Sequence, residues 1–422
     1  MEAPPVSVAA TLSRQSRWWV TAAAFAGLLF DGFELGLMPV ASLSVSRDLL
    51  GSGYTAALGG EWFANYTAAL MFGAACGGIL LGHLGDRFGR TRALGISILF
   101  YSCFAGLGAY VQTSGQMLVL RFLVGLGIGG VWPNGIALVA ECWPKASRPF
   151  ISGIMSTGIG FGVLLLSQVA RVWPVRGDAW RWLFKLSGAP ALLGVLVLVA
   201  VRESPLWLAQ KTLAKGSAKP ASPLAELFRA PLLRITLTGI ALGSIPLIGA
   251  WAAGKWMMPW ADKIGGADAP GYKAVVQGWW ALGTVLGSFF GAQIAGWLGR
   301  RLSYFIFSIG ATLATCAMFL YTVPLQPGFL PMVFAQGFIA TLFFGWLPLY
   351  LPELFPTRVR ATGSGIAYNT GRFATAVGVF FSGTLFATMG GDYARVGAIC
   401  GLIYAVGVIV ILLVPDSRSN LD

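Results

Sequence analysis

Charge is scarce in this sequence: Asp, Glu, Lys and Arg make up 11% of its 422 residues, where a water-soluble chain carries roughly a quarter. With 56% apolar residues and a mean hydropathy of +0.73, no water-soluble fold could bury what remains, so lipid must be the solvent. The five cysteines, Cys76, Cys103, Cys142, Cys316 and Cys400, are odd in number and lack metal-ligand spacing, which leaves them as small core residues and gives no metal site. His83, the one histidine, lies beside a polar turn and is a poor proton carrier. Neither a phosphate-binding loop nor a nucleophile–base arrangement is present, so we expect no enzyme, no cofactor and no nucleotide-driven pump. Acidic residues are few, 16 against 29 Lys and Arg, for a net charge of +13. That excess falls in short clusters between apolar spans, a membrane-topology signal and not a nucleic-acid-binding stripe. Arg14 and Arg17 precede an apolar run that passes Asp31 without a small-residue cleavage site, so the first span reads as a retained helix and not as a signal peptide.

Apolar stretches predict twelve transmembrane helices, near 18–45, 62–84, 93–111, 115–140, 150–173, 181–201, 232–260, 273–298, 302–323, 329–351, 361–388 and 393–414. The longest polar connection, 202–231, divides the chain into a first half over 1–201 and a second over 232–422. Arg87, Arg90, Arg92, Lys145, Arg148, Arg300, Arg301, Arg358 and Arg360 gather on one side with this linker. The positive-inside rule then places both termini in the cytoplasm. The halves are duplicates: Glu141, Pro144, Arg148 and Gly153 recur at the same spacing as Glu353, Pro356, Arg360 and Gly365. Gly82-x-Leu84-Gly85-x-Arg87 is echoed by Gly296-x-Leu298-Gly299-x-Arg301, a register in which Arg300 replaces Asp86.

Gly82-x-Leu84-x-Asp86-Arg87-x-Gly89-Arg90 resembles the motif between helices 2 and 3 of the major facilitator superfamily. The resemblance spans nearly the whole chain and implies an all-α membrane fold of two pseudo-symmetric six-helix halves. Asp31-Gly32-Phe33-Glu34, Trp132-Pro133-Asn134, Glu141-x-Trp143-Pro144, Pro352-Glu353-Leu354-Phe355-Pro356 and Tyr368-Asn369-x-Gly371-Arg372 are similar to segments of bacterial aromatic-acid and sialic-acid proton symporters. Glu34 departs from that pattern, which has aspartate there. The likeness implies a bacterial inner-membrane carrier. Helix 5 has no Gly-Pro pair of the kind found in the family's drug antiporters, which favours symport.

Ionisable residues inside apolar spans are costly and so are functional candidates. Asp31 and Glu34 share a face of helix 1, and desolvation against a nearby cation can tie a carboxylate's proton to conformation. Arg121, matching the family's helix-4 arginine associated with proton coupling, is the expected partner. A static ion pair is the alternative for the two acids and interfacial snorkelling for Arg121. Arg372 offers a planar fork suited to a carboxylate, beside Tyr368 and Asn369, with packing against an acid or carbonyls as the alternative. Asn134, Gln168 and Trp346 are weaker candidates for the cavity wall. Lys255, among Trp251, Trp256 and Trp260, reads first as a snorkelling residue and second as an attractor of anions. Gly82, Asp86, Arg87, Gly89, Arg90, Glu141, Arg148, Glu353 and Arg360 are expected to gate the motion between the halves. Gly283, Gly287 and Gly291 read as helix packing.

Taken together these readings predict a monomeric carrier in the bilayer that moves a small organic anion with protons by alternating access. A carrier of neutral sugars is the alternative, suggested by Arg202-Glu203-Ser204-Pro205-Leu206-Trp207-Leu208, which resembles a sugar-porter segment. A transporter-like solute sensor is more remote.

Overall fold

The computed structural model describes residues 12–143, 148–175, 177, 179–213, 226–356 and 359–414, with the side chains at 148, 149, 152, 210–213, 360 and 361 outside that description. Long helices form α1 (Arg14–Leu50), α2 (Ala56–Phe88), α3 (Arg90–Leu107), α4 (Ser114–Cys142), α5 (Arg148–Val172) and α6 (Arg181–Ala200). The second series comprises α7 (Leu232–Gly265), α8 (Tyr272–Leu298), α9 (Arg300–Tyr321), α10 (Phe329–Glu353), α11 (Arg360–Thr388) and α12 (Tyr393–Leu412). A short helix, Pro205–Leu213, follows α6. Among the described residues there is no strand, as expected where hydrocarbon forces each segment to satisfy its own backbone.

Eleven of these helices are long and apolar enough to cross a membrane. The exception is α11, whose 29 residues would reach about 44 Å but include Thr362, Ser364, Asn369, Thr370, Arg372 and Thr375. It packs mainly against α2 and α7, with Arg372 and Thr375 buried while Val377, Phe380 and Phe381 stay exposed. Elsewhere the outward faces are greasy: Leu192, Val199, Leu313 and Ile409 are among the most exposed apolar side chains.

Helix ends follow local chemistry. Thr113 and Gln116 close a reciprocal capping box at the start of α4, and Thr55 accepts from the Leu58 amide to start α2. Gly89, at φ +119°, and Gly299, at φ +85°, turn the chain from α2 into α3 and from α8 into α9, a backbone region that glycine enters freely. These turns correct the register read from the repeat. Arg300 is the first residue after its turn glycine, so it occupies the place of Arg90, and Gly296 stands where Asp86 does. Helix α7 is irregular: Pro246 is followed by a π-turn over Gly249–Ala253 and a 3₁₀ turn over Gly254–Trp256.

Packing repeats with the sequence. Contacts of α2 with α4, α3 with α4, α1 with α5 and α3 with α6 are matched by α8 with α10, α9 with α10, α7 with α11 and α9 with α12. Between the halves the main seams are α2 with α11 and α5 with α8, which interchange under the same six-helix shift. Gly283, Gly287 and Gly291 let α8 lie against the α10 backbone at Phe334, Phe338 and Leu342, where any Cβ would collide. The two faces of the bundle differ. On the face away from the arginine-rich turns, one apolar cluster joins Phe63, Ala64 and Val163 of the first half to Trp256, Phe386 and Tyr393 of the second. Trp256 stacks on Phe386 at 4.8 Å and meets Phe63 edge-on at 5.3 Å. On the basic face, the cluster around Tyr304, Trp346 and Tyr350 has no first-half member.

Candidate functional site

Asp31 lies near the middle of α1, 2% exposed, where Gly32 brings α1 onto the α5 backbone at Ile159. One turn further, Glu34 is buried and pairs with buried Arg121 of α4, which donates from Nη1 to Glu34 Oε1. The sequence reading gave Arg121 to both acids; the coordinates pair it with Glu34. For Asp31 the strongest charged neighbour is Arg372 of α11, in the other half. Asp31 Oδ1 is buried without a hydrogen-bond partner.

Arg372 is 9% exposed. Its Nη1 donates to the Ala74 carbonyl of α2 at 3.2 Å, and its guanidinium lies 5.0 Å from the Tyr368 ring. Asp31, Tyr368 and Arg372 open onto a central cavity of about 100 Å³ to which eight helices, four from each half, contribute side chains. Its walls are mostly apolar and aromatic, with Trp132, Trp251, Trp280 and Phe344 among them, and Ser156, Thr284, Ser288 and Thr341 add hydroxyls. An apolar, enclosed space at the junction of two halves with a few placed polar groups is the expected form of a small-molecule site.

Lys255 also lines this cavity. Its preferred sequence reading, interfacial snorkelling, is corrected by its burial, 2% exposed. Nζ lies 3.8 Å from the Trp280 ring centroid and 5.1 Å from that of Trp251. An unbroken helical period gives the wrong aim here, because a π-turn shifts the residues after it around the axis. Pro246 and the closely spaced Gly249 and Gly254 were the available signal. The Trp280 ring is itself held, donating to Gln336 Oε1 at 2.9 Å while Gln336 donates to Thr315 at 3.3 Å.

Other candidates lie apart from the cavity. Asn134 donates to the Leu81 and Gly130 carbonyls at 3.0 and 2.8 Å, bonding α4 to α2. Asn369 donates to Gly365 and sits against Gly78 on the α2–α11 seam. Trp346 donates to the Arg300 carbonyl and packs on Tyr304 and Tyr350 in the core of the second half. Gln168 is exposed, near Gly278.

The basic-face residues make charge clusters inside each half. Arg90 pairs with Asp86 and approaches Glu141 at 3.5 Å, tying the α2–α3 turn to the end of α4. Arg300 forks onto Glu353 through two bonds of 3.1 Å, the same join between α9 and α10. In the second half the arginine is retained and the Asp86 counterpart is missing, so the cluster is rebuilt on Arg300 and Glu353. Arg87 rests over Phe88 at 5.2 Å, and Gly82 faces Pro133. The side chains of Arg148 and Arg360 lie outside the described residues. The Arg202–Leu208 segment is occupied here as well. Glu203 accepts from the Thr91 amide at 3.0 Å, and Trp207 donates to the Asp86 carbonyl at 2.8 Å.

Comparison with known proteins gives the family and the fold. The chain matches the profile of the Major Facilitator Superfamily over residues 23–379. It is 32% identical over 359 residues to a probable 4-methylmuconolactone transporter of Cupriavidus pinatubonensis, covering 84% of this chain and 81% of that one. It is 29% identical over 403 residues to a cis,cis-muconate transport protein of Acinetobacter baylyi, covering 94% of this chain and 94% of the relative. Its fold is similar to that of the xylose transporter of Escherichia coli in a partially occluded inward-open conformation, with a TM-score of 0.73 at 18% identity over 96% of this chain and 99% of that one.

Proposed function

Because this chain belongs to the Major Facilitator Superfamily and is a multi-pass membrane carrier and not an enzyme, we propose that it is a secondary active symporter that moves a small organic anion with a proton. The halves, 1–201 and 232–422, rock about the cavity as a monomer with the linker 202–231 between them. The arginine-rich face and both termini lie in the cytoplasm of a bacterial cell. The observation that carries this reading is the placement of Asp31 and Arg372 together on the cavity wall, one from each half. While Asp31 is ionised it is the counter-charge of Arg372. A proton on Asp31 removes that charge and leaves the guanidinium for a carboxylate, so solute and proton bind together. Loading both leaves neither Asp31 nor Arg372 with an unpaired charge and permits the halves to close over the solute. Two relatives named for muconate and a muconolactone support an organic acid as the solute.

Reconstituted vesicles with an imposed pH gradient test this. Labelled cis,cis-muconate or 4-hydroxybenzoate should accumulate when the entry side is acidic. Asp31→Asn should retain exchange of the acid while losing accumulation, and Arg372→Gln should weaken acid binding by about tenfold or more. Uptake indifferent both to the gradient and to Asp31→Asn would sink the coupling.

A further inference from the structure

The proton–carboxylate arrangement uses one cation of the cavity, and Lys255 is left over. Among the described residues it makes no ion pair, and the charges that act on Asp31 are those of Arg372 and Glu34. An ammonium has three donors and no acceptor. The faces of Trp251 and Trp280 stabilise its charge but accept its hydrogen bonds poorly, so a buried lysine held against these two rings retains a demand for an anion. Arg372 sits near the middle of α11, whereas Lys255 is in the final third of α7, towards the face sealed by Trp256 and Phe386. The two cations thus mark separate places on the cavity wall, with aromatic side chains among the surfaces around them. When Asp31 holds its proton, Arg372 and a protonated Lys255 are the cations that face the cavity.

Resting on the proposed function, we infer that the preferred solute is a planar, unsaturated or aromatic dicarboxylate, bound with one carboxylate on Arg372 and the other on Lys255. A dianion matches both cations, and a flat conjugated body suits walls of Trp132, Trp251, Trp280 and Tyr368. A monoanion would leave one buried cation without an anion. Lys255 is then the residue that sets selectivity for the second charge, and the Trp280–Gln336–Thr315 chain positions its aromatic support.

The test measures equilibrium binding to the purified full-length protein. The probes are three planar diacids of increasing length, fumarate, trans,trans-muconate and terephthalate, each set against its own monoamide, which keeps the shape and loses one charge. At least one diacid should bind about tenfold tighter than its monoamide. Lys255→Met should reduce that ratio to less than about threefold while leaving the monoamide's affinity in place, and Lys255→Arg should restore a preference for the diacid. Three wild-type ratios near one would overturn the inference without recourse to any variant, as would a Lys255→Met protein that weakens diacid and monoamide alike. The outcomes separate the two readings. Monoacids that bind through Arg372 with no premium for a second charge refute only the dianion, whereas acid binding untouched by Arg372→Gln refutes the proposed function beneath it.

Discussion

The Glu34–Arg121 pair gives a sharp energetic prediction. Both side chains are 1% exposed, and Glu34 Oε2 and Arg121 Nε and Nη2 have no hydrogen-bond partner. The pair has therefore surrendered hydration, with its own contact and the nearby Ser187 hydroxyl as compensation. Removing one member by Arg121→Met strands a carboxylate inside the bundle, at a cost of about 3–5 kcal/mol. Glu34→Leu strands the guanidinium at a similar cost. Replacing both together by Leu and Met removes the desolvation along with the attraction and should return to within about 1 kcal/mol of the parent. The coupling in the double-mutant cycle should thus be about 5 kcal/mol or more. Reversible unfolding in mixed micelles of rising dodecyl sulfate content, followed through the fluorescence of the 16 tryptophans, measures all four corners. Additive losses, or single losses below about 1 kcal/mol, would show that the two charges do not stabilise the fold through each other and would refute the reasoning.

Asn134→Ala should cost about 0.5–1.5 kcal/mol, because the bond from α4 to the Leu81 carbonyl of α2 is lost, while titration with muconate shows unchanged affinity. Gly287→Val drives a side chain into the Phe338 backbone; a loss of at least about 1–3 kcal/mol should appear as a lowered unfolding midpoint and a lower yield of monodisperse protein. Ala64→Cys with Gly383→Cys, at the sealed face of a chain stripped of its native cysteines, should form a disulfide once α2 and α11 part by about 1 Å, since a Cβ at 383 lies 2.5 Å from that of Ala64 and the bond spans about 3.5–4.5 Å. It should halt transport until reduced. Continued transport by fully cross-linked protein would mean that this face never parts. Glu353→Ala frees a partly exposed arginine and should shift stability by less than about 1 kcal/mol, as an unfolding curve would reveal.

Eleven of the twelve expected spans, the duplication and the grouping of ionisable residues were legible because each depends on a local pattern. Length and hydropathy define a span, and charge within it demands a partner. Which partner it takes is a property of the bundle. Glu34 and Asp31 stand one turn apart and look alike in sequence, yet in the bundle Glu34 meets Arg121 while the strongest charged neighbour of Asp31 is Arg372. Trp346 and Asn134 have the polarity expected of a cavity wall, but spend it on the Arg300, Leu81 and Gly130 carbonyls. Lys255 was misread because a periodic projection assumes regular turns, and α7 abandons them just before it. The register at Arg300 was misjudged for a related reason: matching letters gave one offset, whereas the positive-φ glycine that turns the chain gave another.

The weak apolarity of α11 bears on how the protein is made. A helix with arginine near its middle pays about 2.5–3.5 kcal/mol to enter lipid alone, so α11 has poor prospects of settling in the bilayer as it leaves the insertion machinery. Its polar side is covered by α2 and α7, and α2 is synthesised long before it. Biogenesis of the second half is accordingly expected to depend on the first as an intramolecular chaperone, and a fragment beginning at 232 should be degraded unless the first half is co-expressed.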